Sequence, residues 1–178
     1  MKTTMQSELN HIKWLLVDQI VDLSAPIYLM KGYINSSTFD EKSGQSLGMF
    51  RLCNHGLIIS LSKLREIVME YGKTINTFPD HIKAPFQNLR KEIELREIHL
   101  FRNKYAAHIM DKDGKPLSLA KGEQMLNKIV GKDIVEMLKF YDWIYPEGNY
   151  KNSACVMSCV ENVRDYCISQ LPSDLHRP

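Results

Sequence analysis

Apolar residues recur at helical spacing along nearly the whole chain, and this periodicity most constrains what the chain can fold into. No run of clean apolar–polar alternation, the pattern of a half-buried strand, extends beyond a few residues. Apolar residues make up 44% of the 178 residues, which is enough for a packed core, and no shift in composition marks a second domain. The sequence therefore predicts a single all-α domain over residues 1–178, built as a bundle of five to six helices.

Breaks in the periodicity, at glycines, prolines and polar clusters, set the expected helix boundaries. The longest helix is expected from Pro85 to Ile109, about 36 Å at 1.5 Å per residue. A polar loop is expected over residues 35–48, and Ser24 and Pro26 are expected to interrupt the first helix. The remaining helices are predicted over residues 7–23, with the apolar stretch 27–34 as its continuation after a kink, and over residues 49–71, 119–130, 133–145 and 153–171.

Charge and hydropathy narrow the expected environment and partners. The chain carries 23 basic and 21 acidic residues, a net charge of +2, so any contact with nucleic acid must come from a local patch. The apolar stretch at residues 56–61 is far shorter than the ~18 residues of a membrane span. Polar residues also cut the apolar run of the first helix, which therefore lacks a signal-peptide core. We expect a cytoplasmic protein without a membrane segment.

The sequence contains no motif typical of a metal or cofactor site. Its four cysteines form no Cys-x-x-Cys pair and no Cys/His cluster of zinc-finger spacing, and there is no glycine-rich phosphate loop. Cys155 and Cys159 are one helical turn apart and could place two thiolates on one metal. Core packing is the favoured interpretation, because Cys167 continues an apolar helical stripe. We expect no cofactor and no metal site.

One cluster of residues with chemical content closes the predicted long helix. It reads Arg102-Asn103-Lys104-Tyr105-Ala106-Ala107-His108. On a helical wheel, Arg102 lies beside an apolar stripe and has no carboxylate three or four residues away. A guanidinium against a packed surface needs an anion, which either an acidic residue of another helix or a bound phosphate would supply. The stripe consists of Leu95, Ile98, Tyr105 and Ile109.

An arginine and a histidine at one phosphate suit metal-free cleavage of RNA. The guanidinium would hold the phosphate, and the imidazole would move a proton while the 2′-hydroxyl attacks the phosphodiester. Six basic residues stand against three acidic ones between residues 83 and 104, so a phosphate backbone could lie along this segment. The candidate RNA-binding residues here are Lys104, Arg96 and Tyr105.

The segment Leu-Phe-Arg-Asn-Lys-Tyr-Ala-Ala-His-Ile resembles the catalytic motif of the HEPN superfamily, especially of its abortive-infection and toxin-like members. This resemblance implies a helical bundle that dimerises through the motif-bearing helices, with a composite, metal-independent endoribonuclease site between them. By position, Arg102 would stabilise the scissile phosphate, His108 would act as general acid and base, and Asn103 would orient one of them. RNA would be the substrate, and the homodimer would form through the helix from Pro85 to Ile109.

The sequence departs from one branch of that superfamily at Met110. Members paired with a nucleotidyltransferase antitoxin carry a modified tyrosine at this position, so an antitoxin of that type is not implied, while another antitoxin stays open. The leading hypothesis is a ribonuclease or ribonuclease-derived toxin in phage defence or abortive infection. The alternative is a non-catalytic helical homodimer that binds or senses a ligand on the same scaffold. A third is an unrelated helical interaction protein in which the motif is a chance match.

Overall fold

A computed structural model describes residues 2–106, 115, 118–172 and 177–178. Within these residues the regular secondary structure is helical throughout, which confirms the all-α class predicted from the periodicity. No helix in this part of the chain is both long and apolar enough to cross a bilayer. The α-helices are α1 (Lys2–Ile34), α2 (Gly44–Glu70), α3 (Gly72–Ile75), α4 (Asp80–Leu95), α5 (Ile98–Phe101), α6 (Leu119–Val130), α7 (Ile134–Ile144) and α8 (Val156–Ser169), with a π-helix at Arg102–Ala106 and a 3₁₀ turn at Tyr150–Asn152.

The core forms where α1, α2, α4 and α8 meet. Helix α1 packs along α2 and α8, and α4 packs against the same two helices. Burial of the apolar face of each helix, at about 25 cal/mol per Å², provides the main favourable free energy of folding. Cys167 of α8 is fully buried, and this burial raises the pKa of its thiol to about 12, as expected for a core cysteine. The central buried side chains are Ile12, Leu16, Leu23, Ile27, Leu57, Leu61, Leu64, Phe86, Ile93, Val160 and Val163.

The predicted interruption of the first helix at Ser24 and Pro26 is wrong, because α1 is continuous from Lys2 to Ile34 with Pro26 inside it. A proline in a helix interior removes one backbone hydrogen bond and strains the turn before it. Leu23 and Ile27 on either side are buried against the bundle, and this packing offsets the loss. The proline ring also lies against α2 at Gly56.

Helix α2 begins inside the predicted polar loop, which is five residues too long at its carboxyl end. Ser43 caps the helix, since its side chain accepts a hydrogen bond from the amide of Ser46 at 3.1 Å. Ser46 is fully buried, and its hydroxyl bonds to the carbonyl of Asp40 and the hydroxyl of Tyr33. These bonds fix the loop against α1 and let the helix start at Gly44.

The predicted long helix from Pro85 to Ile109 is wrong. Helix α4 begins earlier, at Asp80, and ends at Leu95, after which Glu97 adopts a left-handed conformation with φ of 56°. For a residue with a side chain, this conformation costs roughly 1–2 kcal/mol. The chain then re-enters a helical path as α5, and the amides of Leu100 and Phe101 bond to the carbonyl of Glu97.

The break at Glu97 rearranges the apolar stripe predicted for the long helix. Ile98 and Phe101 are buried, whereas Leu95 is 75% exposed. Burying two large side chains is worth about 1.5–3 kcal/mol each, enough to offset the strained backbone at Glu97. An ion pair of 2.8 Å between Glu97 and Lys128 of α6 also spans the break.

The later helices match the sequence prediction more closely. Helix α6 has the predicted bounds, and α7 begins after Asp133, whose carboxylate caps it by accepting from the amide of Glu136. Helix α8 starts three residues later than predicted because a 3₁₀ turn precedes it and Cys155 serves as its cap. Between α6 and α7, Gly131 has φ of 108°, and a Cβ there would collide with Glu136.

Glu97→Gly should relieve the backbone strain at the break. In a Lys128→Ala background, which removes the ion pair, we expect this change to raise the free energy of unfolding by up to about 1 kcal/mol. Urea denaturation followed by circular dichroism measures the effect. Lys91→Gly, at an exposed position inside α4, is the control and should lower the free energy of unfolding by about 1 kcal/mol. Equal losses from the two glycines would contradict a strained Glu97.

Candidate functional site

The first half of the predicted motif lies on the π-helix Arg102–Ala106, directly after the buried Phe101. Single π-helical turns are rare and occur frequently at functional sites. The Arg102 side chain is 39% exposed, so the expectation that it faces a packed surface is wrong. The break at Glu97 causes this difference, since it rotates the segment relative to an unbroken helix and buries Ile98 and Phe101 instead.

Two groups contact the guanidinium of Arg102. Its Nη1 donates a hydrogen bond to Oδ1 of Asn103 at 3.0 Å and lies 3.7 Å from Oε1 of Glu66 on α2. Glu66 is thus the acidic partner from another helix that the sequence left open. Because this ion pair is long and exposed on both sides, its contribution to stability is about 0–1 kcal/mol. The guanidinium remains accessible to an external anion.

The other residues of the predicted site face different surroundings. Asn103 and Lys104 are exposed. Tyr105 is half-buried, stacks on Phe101 with ring centroids 5.6 Å apart, and faces α6 at Gly122. The side chain of Tyr105 therefore packs the π-helix against α6. Its predicted contact with RNA stays a prediction.

The side chain of Arg96 contacts α4 and α7. Its Nε donates to Oε1 of Glu92 at 2.8 Å, and its guanidinium lies 4.3 Å from the ring centroid of Trp143. Both contacts occupy the guanidinium within the protomer. Arg102, Asn103 and Lys104 thus lie together on one π-helical turn, whereas the guanidinium of Arg96 contacts Glu92 and Trp143.

The predicted general acid and base, His108, lies outside the described residues, as do Ile109 and Met110. Its role stays a prediction from the resemblance. Within the described ranges, no group of three His, Cys, Asp or Glu side chains could hold a metal ion. Cys53, Cys155 and Cys167 are buried, Cys159 is half-buried, and all four are free thiols.

A cleft of about 680 Å³ beside the π-helix contains functional groups that sequence reasoning missed. One wall is formed by Arg51, Asn54 and His55 of α2, and another by Phe101 and Tyr105. Arg51 and His55 are spaced i, i+4, which places both side chains on one face of a helix. This shared face could have been recognised from the sequence. The aromatic wall could not be predicted from the sequence, because its position depends on the break at Glu97.

His55 is half-buried in this cleft and packs edge-on against Phe101, with ring centroids 5.5 Å apart. Burial lowers the pKa of His55, and the positive charge of Arg51 lowers it further. The imidazole is therefore neutral near pH 7, with one nitrogen as donor and the other as acceptor. Such a group can bind the polar edge of a ligand or accept a proton.

Asn54 is the most buried polar group of the cleft, at 5% exposure. Its Oδ1 accepts a hydrogen bond of 2.8 Å from the hydroxyl of Tyr141, and its Nδ2 contacts Sδ of Met137 at 3.8 Å. A thioether is a weak acceptor, so the amide nitrogen retains capacity to donate. The pKa of Tyr141 is strongly raised, mainly by burial, so its hydroxyl stays protonated and keeps donating to Asn54.

His55 should titrate below its ordinary value near 6.5, and Arg51→Gln should raise its pKa only in part, because burial is the larger cause. The pH dependence of the histidine ring signals in NMR spectra measures both. Since folding disfavours the protonated imidazole, the free energy of unfolding should fall as the pH drops below about 6.5, and His55→Gln should reduce this fall. A wild-type pKa at or above 6.5 would contradict the environment described for His55.

Gly122→Ala should test the contact between α6 and Tyr105, since a Cβ at this position would lie 2.9 Å from Cδ1 of the ring. We expect destabilisation of about 1–3 kcal/mol from overpacking, against a gain of about 1 kcal/mol in helix propensity. In a Tyr105→Ala background the same change should become stabilising. Gly48→Ala in α2 has open space around its Cβ and serves as the control. Thermal unfolding measures the cycle, and stabilisation by Gly122→Ala alone would contradict the contact.

No family model and no curated protein matches this sequence. Among solved structures, the fold is similar to integron cassette protein Vpc_cass2 from the mobile metagenome of V. paracholerae, with a TM-score of 0.72. The two sequences are 23% identical, and the match covers 90% of this chain and 95% of the cassette protein. At this identity the similarity establishes a shared helical fold along nearly the whole length of both chains.

Proposed function

We propose that this protein is a HEPN-like, metal-independent endoribonuclease that acts as a toxin in phage defence or abortive infection. One observation carries the proposal: the accessible guanidinium of Arg102 is oriented by the side chain of Asn103 on a π-helical turn. The HEPN resemblance assigns phosphate stabilisation to Arg102 and an orienting role to Asn103. A hydrogen bond between them is the contact that these two roles require.

In the proposed reaction, Arg102 binds the scissile phosphate through charge-assisted hydrogen bonds. Its exposed pairing with Glu66 is weak enough for a phosphate to replace it. His108 takes the proton of the 2′-hydroxyl, the oxygen attacks phosphorus, and the 5′-oxygen leaves with a proton returned to it. The products are a 2′,3′-cyclic phosphate and a free 5′-hydroxyl.

The proposed partners are RNA and a second copy of the chain. Lys104 is exposed on the same turn as Arg102 and would add a contact to the RNA backbone. The homodimer would form through the segment from Pro85 to Ile109, where Leu95 and Leu100 expose apolar surface. As a toxin, the protein would also require an antitoxin or another means of control.

A non-catalytic homodimeric binding or sensing module is the second candidate function. The cleft beside the π-helix favours it, because a volume of about 680 Å³ with mixed aromatic and polar walls is typical of a ligand site. In this case the motif would bind RNA or another anion without cleaving it. RNA cleavage by the purified protein separates the two candidates.

Arg102→Ala and His108→Ala should each reduce cleavage of RNA by about 10²–10⁴-fold in the presence of EDTA. Lys63→Ala is a matched control outside the proposed dimer and RNA segment, because Lys63 is 46% exposed and lies 3.0 Å from Asp22, an exposed ion pair between two helices like that of Arg102 and Glu66. Gel analysis of end-labelled RNA should give 2′,3′-cyclic phosphate ends. Light scattering should give about twice the monomer mass for the wild type and the variants.

Thermal unfolding completes this test. Loss of an exposed ion pair should lower the Tm by no more than about 2–4 °C, for Arg102→Ala and for Lys63→Ala alike. If Arg102→Ala loses cleavage while the control variant keeps it, and both have the same Tm, the loss reflects the contact of Arg102 with the phosphate. Full activity in both Arg102→Ala and His108→Ala would refute the proposed mechanism, as would cleavage that requires magnesium.

A further inference from the structure

The cleft between α2, the π-helix, α6 and α7 has functional groups that the proposed reaction does not use. Arg51, Asn54 and His55 come from α2, and none of them belongs to the motif. The cleft shares the π-helix with the motif, because Tyr105 lines it, and Phe101, which also lines it, directly precedes Arg102. A ligand in this cleft would therefore lie beside the site proposed for the scissile phosphate.

The apolar lining of the cleft combines three aromatic side chains with five aliphatic ones. Phe50, Phe101 and Tyr105 all line it, and Phe101 and Tyr105 are nearly parallel, with 28° between their ring planes. Flat aromatic surfaces favour a flat ring in the ligand, and stacking of a nucleobase on an aromatic side chain is a recurrent way of binding single-stranded RNA. An aliphatic chain would gain nothing from this arrangement beyond burial.

The polar groups of the cleft suit the edge of a heteroaromatic ring. Asn54 offers an amide hydrogen whose described acceptor is only the sulfur of Met137. His55 offers one donor and one acceptor in its neutral form. A nucleobase presents donors and acceptors on its edge, the kinds of group that the amide of Asn54 and the imidazole of His55 bind.

Arg51 and Lys132 provide the positive charges that line the cleft. The side chain of Arg51 is exposed, and within the described residues it forms no ion pair. Glu41, Glu123 and Asp133 also line the cleft and are exposed, so three acidic groups face two basic ones and the site is unsuited to a polyanion such as a triphosphate. A ligand with one phosphate on Arg51 fits this distribution of charge.

We propose that the cleft binds one nucleotide, with its base against the aromatic wall and its phosphate on Arg51. This inference deepens the proposed function, since it assigns the cleft to a nucleotide beside the one that is cleaved. The same chemistry can come from a free nucleoside monophosphate or from one unit of an RNA strand. The direct link between Phe101 in the cleft and Arg102 on the surface favours the strand.

Isothermal titration calorimetry with AMP, UMP and an uncleavable 2′-O-methyl RNA decamer tests the inference on the full chain. Arg51→Gln should weaken binding of all three about tenfold or more, through loss of a charge-assisted hydrogen bond. Phe50→Leu should weaken binding roughly 5- to 100-fold through loss of stacking. Lys73→Gln removes an exposed positive charge on α3, away from the cleft, and should leave affinity within twofold.

The outcomes of this titration are distinct. A decamer that binds at least tenfold more tightly than AMP, with both weakened by Arg51→Gln and Phe50→Leu, identifies a unit of RNA as the ligand. Equal affinities with the same losses identify a free nucleotide. Absence of binding at millimolar concentration, or binding that neither variant weakens, overturns the inference.

The cleavage assay separates this inference from the proposed function. If RNA is cleaved and nucleotides do not bind, the proposed nucleotide site in the cleft is refuted and the ribonuclease proposal stands. If nucleotides bind through Arg51 and Phe50 and RNA stays intact, the cleft inference holds and the ribonuclease proposal fails. Arg102→Ala should not weaken the binding of AMP, because Arg102 is outside the cleft.

Discussion

The left-handed turn at Glu97 is the constraint on which the candidate site depends. With a helical φ at this residue, α4 would continue and keep Ile98 and Phe101 on the extension of its own apolar face. The turn instead directs α5 toward α2, where both side chains are buried. The strain of roughly 1–2 kcal/mol is local, while the burial that offsets it involves two large residues. The position of the π-helix and one wall of the cleft follow from this exchange.

Segment α5 and the π-helix separate two surfaces with different chemistry. On the inner side, Phe101 and Tyr105 stack on each other and close the cleft against α6. On the outer side, Arg102 is held by Asn103 and loosely by Glu66. A tightly buried ion pair would fix Arg102 as a structural residue, and its loss would destabilise the fold. The exposed ion pair of Arg102 and Glu66, at 3.7 Å, neither fixes Arg102 in place nor contributes much to stability. The effects of a substitution at Arg102 on phosphate binding and on stability can therefore be measured separately.

Sequence periodicity was sufficient for the helical class and for most helices, because amphipathic spacing depends only on neighbours in the chain. Helix α6 was predicted with its observed bounds, and the start of α2 could have been found from Ser43 as a cap. The break at Glu97 could not have been predicted from the sequence, because glutamate carries no local signal for a left-handed backbone. Burial in the tertiary structure decides this conformation. The position predicted for Arg102 from the helical wheel was wrong for the same reason. The cleft groups Arg51 and His55 were visible as an i, i+4 pair, but their partners come from distant parts of the chain.

Asn54 connects the core to the cleft and constrains what the cleft can bind. An amide at 5% exposure requires partners for both of its ends, and an apolar side chain would be the cheaper occupant of this position. Tyr141 satisfies the oxygen, and its hydroxyl remains protonated because burial raises the pKa. This bond fixes which end of the amide faces Met137 and leaves an amide donor whose described acceptor is only a thioether, in the cleft that the neutral imidazole of His55 also lines. A ligand that stacks on the aromatic wall must therefore carry hydrogen-bond acceptors along one edge, a condition that nucleobases meet and purely hydrocarbon rings do not.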